Sequence, residues 1–258
     1  MVRVGTCSWD SPQLYEPGIR SRDKLRLYSE IYDTVEINST FYGFPSKETV
    51  QNWYLTVPED FRFSVKLNRL FSHDQPFMVN GDSVQKLNQF LASMAGLKEK
   101  LRWFLLQLPP ALAADHDALD KFLAFLSDTR EAHRLRADLA VEFRHPTWYG
   151  QTSREILADY AAVQVISSSP DKWPLVWVKE SKANYIRLHG LHQMYHSSYS
   201  DEELTSLKVW LDEAPAADSW IYFDNGATPA AKENSQYLKR LLGQPVPDQA
   251  TQLRMDLP

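Results

Sequence analysis

Eight short apolar segments alternate along this chain with stretches that have polar character or helical periodicity. The pattern predicts strands at residues 2–6, 34–37, 61–66, 103–108, 139–143, 163–167, 185–188 and 220–223. Strands that alternate with helices form parallel sheets joined by right-handed crossovers. Eight such units in 258 residues favour a single TIM-like (β/α)8 barrel of the α/β class over an open doubly wound sheet, because that barrel typically needs about 250 residues.

Helices are expected in most of the connections between these strands. Their periodicity places them at residues 22–31, 47–55, 82–95, 117–127, 153–160, 201–212 and 230–242, and Ser46 is of a type that favours helix N-caps. The connection at residues 168–182 is rich in Ser, Pro and Trp, so its helix is expected to be short or lost. We therefore predict a barrel domain over residues 1–242 with one degenerate crossover, and a C-terminal tail over residues 243–258 that packs on the surface.

Composition and charge narrow the class of protein. The chain is 43% hydrophobic and 24% charged, which is ordinary for a globular protein. Its formal charge of −5 argues against a broad basic surface for nucleic acid but does not exclude a local positive pocket. Cys7 is the single cysteine, so no internal disulfide can form and a reducing compartment is expected. The N-terminus has no long apolar signal region, and no apolar run approaches 18 residues. We expect a cytoplasmic protein without a membrane partner, and the sequence leaves its oligomeric state open.

Every predicted strand carries polar or ionisable groups at or just after its carboxyl end, where barrels of this kind carry their function. The residues at these strand ends are Cys7 to Asp10, Glu36, Asn38, Phe41, Tyr42, Lys66, Asn68, Gln107, Glu142, Arg144, His145, Ser167 to Ser169, Arg187, His189, Asp224 and Asn225. Alternate residues of a strand share a face, so Glu142 lies with Arg144 and Arg187 lies with His189. Alternation does not decide whether Asp224 or Asn225 faces the site.

Seven motifs of the chain resemble those of the domain of unknown function 72 family, the YecE-like proteins. They are GTCSW at 5–9, VEINSTFYGFPSKETVQNW at 35–53, FRFSVKLNRLFSHD at 61–74, LLQLPP at 105–110, VEFRHPTW at 141–148, YIRLHG at 185–190 and YFDNGATPAAKENSQYL at 222–238. The resemblance implies a TIM-like barrel and supplies no established reaction. Family members often have glycine where Ser8 stands and Asn-Asn where Asp224-Asn225 stands.

The strand-end residues suggest both catalysis and ligand binding. We predict catalytic roles for four residues: Glu36 and Glu142 as acid and base, Lys66 as a further catalytic group, and His189 as a secondary proton donor. The predicted ligand-binding residues are Trp9, Asn38, Tyr42, His73, Gln107, Arg144, Arg187, Asp224 and Asn225. Lys66, Arg144 and Arg187 would hold an anion, and aromatic rings would stack a base or sugar. The alternative is that the cations are already neutralised by Glu36, Glu142 and Asp224 in a charge lattice.

The function that these residues favour is an enzyme that acts on a small anionic substrate, phosphate-bearing or nucleotide-like, by carboxylate acid–base chemistry. Whether it is a hydrolase or a lyase or isomerase stays open. One alternative is a non-catalytic protein that binds single-stranded nucleic acid or a nucleotide; another is a metal-dependent phosphoesterase or isomerase. We predict no metal and no cofactor, because serines at 167–169 stand where an isomerase would supply an acidic ligand and two strand-end arginines would repel a cation.

Overall fold

Parallel strands alternate with helices along the chain in the computed structural model, which describes residues 1–170, 172–178, 181–214 and 218–246. The strands are β1 (Val2–Thr6), β2 (Thr34–Ile37), β3 (Arg62–Lys66), β4 (Leu101–Gln107), β5 (Asp138–Glu142), β6 (Val163–Gln164), β7 (Ile166–Ser168), β8 (Ala183–Leu188) and β9 (Asp218–Phe223). The helices are α1 (Ser21–Ser29), α2 (Lys47–Thr56), α3 (Gly81–Met94), α4 (His116–Ala132), α5 (Gln151–Asp159), α6 (Asp201–Glu213) and α7 (Ala230–Leu241). Residues 247–258 of the predicted tail lie outside the described residues.

The strands form two sheets. One has four strands in the order β1-β9-β8-β7, and the other has five in the order β2-β3-β4-β5-β6. The sixth predicted strand is present as two short strands, β6 and β7, which belong to different sheets. An α/β fold with parallel sheets is thereby confirmed. A single closed barrel and the domain boundary at residue 242 stay predictions.

The chain divides into two compact units. The first unit comprises the described residues of Met1–Glu36, Ile166–Asp171 and Leu175–Pro258, and the second comprises Ile37–Val165 and Lys172–Pro174. We describe each unit by itself.

In the first unit, apolar residues at alternate positions of the strands pack against α6 and α7. Ile186 and Leu188 of β8 belong to one buried apolar cluster with Leu204 of α6 and Leu238 of α7. The residues between them on β8 point to the other face of the sheet. Gly5 in β1 is required for close packing, because a Cβ atom there would lie 2.3 Å from the carbonyl oxygen of Thr34. This close approach lets Cys7 form a parallel bridge with Glu36 directly after the strand.

In the second unit, β3, β4 and β5 run side by side, with Lys66 paired to Leu105 and Gln107 paired to Glu142. Their carboxyl ends therefore carry the predicted polar residues at neighbouring positions. The predicted N-cap of α2 is confirmed, since Ser46 Oγ accepts a hydrogen bond from the amide of Thr49 at 3.0 Å.

The degenerate crossover is also found. Between β7 and β8, the described residues contain no helix.

Within the described parts of the chain, none of the helices is long and apolar enough to cross a membrane.

Candidate functional site

The first candidate site surrounds the guanidinium group of Arg187 in the first unit. We call the group formed by Cys7, Glu36, Tyr185, Arg187, His189 and Asp224 the first cluster. Arg187 Nη2 donates to Glu36 Oε1 at 2.8 Å and to Asp224 Oδ2 at 3.0 Å, and Arg187 Nε donates to Glu36 Oε2 at 3.0 Å. Arg187 Nη1 lies 3.3 Å from His189 Nε2, and His189 Nδ1 lies 2.9 Å from Asp224 Oδ2. One cation thus holds two carboxylates and an imidazole in a single network.

Strand alternation on β8 builds most of this network. Tyr185, Arg187 and His189 are two residues apart and share the face opposite Ile186. The Tyr185 hydroxyl donates to Glu36 Oε2 at 2.7 Å. Burial and the nearby Glu36 carboxylate raise the pKa of Tyr185 well above its ordinary value, so this phenol stays a hydrogen-bond donor at neutral pH.

Cys7 adds a thiol to the first cluster. Its Sγ donates to Glu36 Oε1 at 3.1 Å, and Arg187 Nη2 lies 3.7 Å from the same sulfur. Burial raises the pKa of the Cys7 thiol, and the negative charges of Asp224 and Glu36 raise it further. The thiol is therefore protonated at neutral pH and acts as a donor to Glu36.

The members of the first cluster differ in how much of each side chain is exposed to solvent. The side chains of Glu36, Arg187 and His189 are 0% exposed, whereas that of Asp224 is 20% exposed. Glu36 accepts hydrogen bonds from Arg187, Tyr185 and Cys7, which is the environment of a structural anchor. The predicted acid–base role of Glu36 stays a prediction.

The chain turns sharply beside the first cluster. Ser8 has a φ of +94°, a left-handed conformation that favours glycine, and its amide donates to the carbonyl of Glu36 at 2.8 Å. Glycine at this position, which the family resemblance suggests, would adopt this turn without a Cβ penalty.

Two predicted ligand-binding residues of the first unit make other contacts. Asn225 is fully buried, and its Nδ2 donates to the carbonyl of Ser197 and to Asn234 Oδ1, each at 3.0 Å. Asp224, therefore, is the member of this pair that contacts Arg187. Trp9 is partly exposed, and its carbonyl accepts a hydrogen bond from Tyr15.

The second candidate site lies in the second unit, and Arg144 is one of its centres. We call the group formed by Phe41, Lys66, His73, Glu142, Arg144 and Trp173 the second cluster. Arg144 Nε donates to Glu142 Oε1 at 2.9 Å, as their shared strand face predicts. The Arg144 guanidinium carbon lies 4.3 Å from the centre of the Trp173 ring. Glu142 is 0% exposed and Arg144 is 8% exposed, so this ion pair is buried.

Lys66 and His73 form the more open part of the second cluster, and both contact Phe41. Lys66 Nζ lies 4.1 Å from the centre of the Phe41 ring, and the His73 ring packs edge-on against it at 4.8 Å. His73 Nδ1 lies 2.8 Å from Ser72 Oγ. The Thr40 hydroxyl donates to the Lys66 carbonyl at 2.7 Å, which fixes the loop after β2 to the end of β3.

The charges around His73 are mainly positive. Partial burial lowers the pKa of His73 to about 4, and Lys66, Arg144 and Arg69 lower it in the same direction, with only Asp74 opposing them. The imidazole is therefore neutral at physiological pH. Three cations and one carboxylate thus act on the His73 ring.

Three other predicted ligand-binding residues also belong to the second unit. Gln107 is buried, and its Nε2 donates to the carbonyl of Leu108 at 2.7 Å. The buried Oδ1 atom of Asn38 has no hydrogen-bond partner among the described residues. Tyr42 is 76% exposed and packs edge-on against Phe41 at 5.0 Å.

Comparison with known proteins agrees with the motifs. The chain matches the family "Protein of unknown function DUF72" over residues 3–255. The chain belongs to this family. YunF of Bacillus subtilis, a UPF0759 protein, is 23% identical over 274 residues, 94% of this chain and 95% of that protein. YecE of Escherichia coli K12, also a UPF0759 protein, is 30% identical over 156 residues, 60% of this chain and 53% of that protein.

A solved structure extends this similarity to the fold. A DUF72 family protein from Thermotoga maritima superposes with a TM-score of 0.79 at 24% identity, covering 95% of this chain and all of that chain. The predicted membership of the DUF72 family is confirmed, and the structural similarity concerns the fold alone.

Sequence reasoning missed three contacts in this DUF72 chain: those of Tyr185 and Cys7 with Glu36, and that of Trp173 with Arg144. Tyr185 was detectable, because it precedes Arg187 by two residues on the same strand face. Trp173 lies in an irregular connection, where no periodicity indicates what it contacts. Cys7 was noted at the end of the first strand, but nothing in its spacing pairs it with Glu36.

In the described part of the chain, no three His, Cys, Asp or Glu side chains are grouped so that they could hold a metal ion.

Proposed function

We propose that this DUF72 protein is an enzyme that binds a small phosphate- or carboxylate-bearing substrate at the second cluster and uses His73 to exchange a proton with it. The observation that carries the proposal is a neutral, half-buried imidazole beside Lys66 and Arg144. Such a site attracts an anion and has a group that can change its protonation when the anion arrives.

Charge supports the binding part of the proposal. Arg144 has Glu142 as a counter-charge, and Arg69 is paired with Asp74 at 2.9 Å. Lys66 is the third cation, and all three lower the pKa of His73. Lysine is a common partner of phosphate, and the arginine fork suits phosphate or carboxylate oxygens. The half-buried setting of Lys66 strengthens such contacts, since solvent screens them less than at the surface.

The acid–base part rests on the response of His73 to an anion. The neutral ring is able to accept a proton from the substrate. A bound anion offsets the positive charges of Lys66, Arg144 and Arg69, so it raises the pKa of His73 and favours the protonated ring as a donor. Glu142 is fully buried against Arg144. We therefore assign Glu142 to positioning Arg144 instead of to direct proton transfer.

Calorimetry with inorganic phosphate tests the binding part. We expect phosphate to bind the full-length protein, and Lys66→Met to weaken this binding at least about tenfold, since a charged hydrogen bond contributes about 1.5–3 kcal/mol. The matched control is Lys121→Met, at an exposed position of α4 in the same unit. If the parent protein does not bind phosphate, or if Lys66→Met and Lys121→Met bind it equally, the assignment is wrong.

A turnover assay separates the enzyme from a non-catalytic binder. The parent protein and His73→Gln are incubated with a panel of small phosphate esters and carboxylates, and products are followed by NMR. An enzyme that uses His73 converts one of these substrates, and His73→Gln loses turnover while it keeps affinity for phosphate. Equal turnover by both proteins removes His73 from the mechanism. Phosphate binding without conversion of any substrate favours the binder of anions or nucleotides.

A further inference from the structure

The first unit contains a cavity that the proposed function does not use. It has a volume of about 440 Å³ and lies between β7, β8 and α6. Ile166, Ile186 and Leu188 line it from the strands, and Leu204 and Leu207 line it from α6. Small-molecule sites in proteins usually enclose about 300–1,000 Å³ and are mostly apolar. In size and lining, the cavity is therefore suited to a small ligand.

The degenerate crossover explains why this space exists. In a parallel sheet, a crossover helix usually covers the apolar face of the strands that it connects. Between β7 and β8 the described residues form no helix, and Leu175 and Trp177 line the cavity instead. Leu175 is 44% exposed and Trp177 is 38% exposed. The irregular connection thus leaves an apolar, accessible space where a helix would otherwise pack.

The polar groups that line the strand side of the cavity already have partners. Ser168 Oγ and the Tyr199 hydroxyl are hydrogen-bonded to each other. The Tyr199 hydroxyl also accepts a hydrogen bond from the amide of Gly190 at 2.8 Å. These hydroxyls do not require a polar group from a ligand, so the inner part of the cavity fits an apolar body.

The charged residues that line the cavity are both acidic. Glu202 and Glu203 lie in the first turn of α6, and the lining described here includes no Lys, Arg or His. Glu203 is partly engaged, because its Oε2 accepts a hydrogen bond from the amide of Ser200 at 2.8 Å. Trp177 and Trp210 line the same cavity, with ring centres 4.4 Å apart. Carboxylates beside aromatic faces are the combination that attracts an organic cation.

We propose that this cavity binds a small amphipathic cation, an apolar body that carries a protonated amine. The body lies against Leu175, Trp177 and Leu207, and the ammonium group lies near Glu202. The site belongs to the first unit alone and does not depend on the second cluster. An experiment that rules out this cavity site therefore leaves the function proposed for the second cluster untouched.

Decylammonium and decanoate are a matched pair of probes, because they share an apolar chain and carry opposite charges. Calorimetry on the full-length protein is expected to show one decylammonium site per chain and decanoate binding at least tenfold weaker. Each methylene removed from the amine should weaken binding about fourfold, as burial of apolar surface predicts. Equal affinity for the two probes, or binding of neither, overturns the proposal.

Variants on α6 locate the site. Ser206 lines the cavity and is exposed, so Ser206→Trp is expected to fill the space and abolish decylammonium binding. Thr205→Trp is the matched control: Thr205 is exposed on the same helix, is not part of the lining, and makes the same kind of side-chain hydrogen bond to the preceding turn. If Thr205→Trp reduces binding as much as Ser206→Trp, decylammonium binds elsewhere.

A second pair of variants tests the charge. Glu202→Gln should weaken decylammonium binding about threefold, in the range of an exposed ion pair. Asp201→Asn removes a neighbouring charge outside the lining and should have the smaller effect. A second copy of this chain is the competing occupant. If sedimentation shows a dimer that Ser206→Trp dissociates, and the parent protein does not bind decylammonium, the cavity is a self-association surface and the proposal is wrong.

Discussion

The two clusters contain similar residues, yet they differ in how their charges are matched. In the first cluster, Arg187 is fully buried and bonded to two carboxylates, one of which also accepts hydrogen bonds from Tyr185 and Cys7. In the second cluster, a half-buried imidazole lies near Lys66, Arg144 and Arg69, whose charges lower its pKa. A buried and fully bonded charge is mainly structural, whereas a titratable group with a shifted pKa at a partly open position is typical of a functional site. The contrast supports a role in fold stability for the first cluster and the anion binding that we propose for the second.

The largest expected difference is in stability. Arg187→Met should lower the free energy of unfolding by about 3–5 kcal/mol, because it leaves the carboxylate of Glu36 buried without its cation. Lys66→Met removes one positive charge from the second cluster and should cost less than about 1 kcal/mol, since Lys66 is partly exposed. Urea unfolding of both variants measures the difference.

The double variant Glu36→Gln with Arg187→Met provides the control for this comparison. It should be more stable than Arg187→Met alone, because it removes the unpaired charge. Similar losses for Arg187→Met and Lys66→Met would show that the two clusters do not differ in the way we describe.

The second cluster should make stability depend on pH. Burial and the charges of Lys66, Arg144 and Arg69, opposed by Asp74, lower the pKa of His73 from 6.5 to about 4. Between these values the unfolded chain binds a proton that the folded protein does not. The free energy of unfolding therefore falls as the pH drops from about 6.5 to 4, by about 1–2 kcal/mol after solvent screening.

Unfolding curves of the parent protein and of His73→Gln, measured at several pH values, isolate this contribution. The difference between the two proteins should change across this range and stay constant above pH 7. A constant difference from pH 4 to 7 would contradict the environment that we describe for His73.

The first cluster should protect its thiol. Because burial and the charges of Asp224 and Glu36 raise the pKa of Cys7, alkylation by iodoacetamide at pH 8 should be at least about tenfold slower in the folded protein than in urea. Cys7 is the single cysteine, so mass spectrometry reports it directly. Asp224→Asn should speed the reaction, whereas Asp10→Asn, an exposed acid paired with Lys24, should not. Equal rates in folded and unfolded protein would rule out this environment.

The smallest expected effect concerns the turn beside the first cluster. Ser8→Gly should raise the free energy of unfolding by up to about 1 kcal/mol, because it relieves a left-handed conformation. Ser11→Gly is the matched control: the φ of Ser11 is −60°, so glycine brings no relief there. The idea of strain at Ser8 fails if Ser8→Gly destabilises the protein as much as Ser11→Gly does.

Local periodicity was sufficient to predict the elements that carry the clusters. It placed β1 and β2 at the residues where they occur and paired Glu142 with Arg144 and Arg187 with His189 on common strand faces. A strand fixes the direction of side chains two residues apart, so these pairs follow from the sequence alone.

Contacts between distant segments did not follow from the sequence. Periodicity gives the direction of a side chain but not its partner, so the stacking of Trp173 on Arg144 was not predicted. The split of the sixth strand at Val165 was also missed, because residues 163–167 are apolar enough for one continuous strand. The choice between Asp224 and Asn225 depended on the exact end of β9, where a shift of one residue reverses the face.

The most direct test of anion binding at the second cluster is an NMR titration of the His73 ring, with and without inorganic phosphate. Without phosphate, we expect an apparent pKa of about 4 for His73. With saturating phosphate, the pKa of His73 should rise by about one unit or more, because the bound anion offsets the nearby cations, and Lys66→Met should reduce that rise. A His73 titration that phosphate leaves unchanged would contradict anion binding at the second cluster.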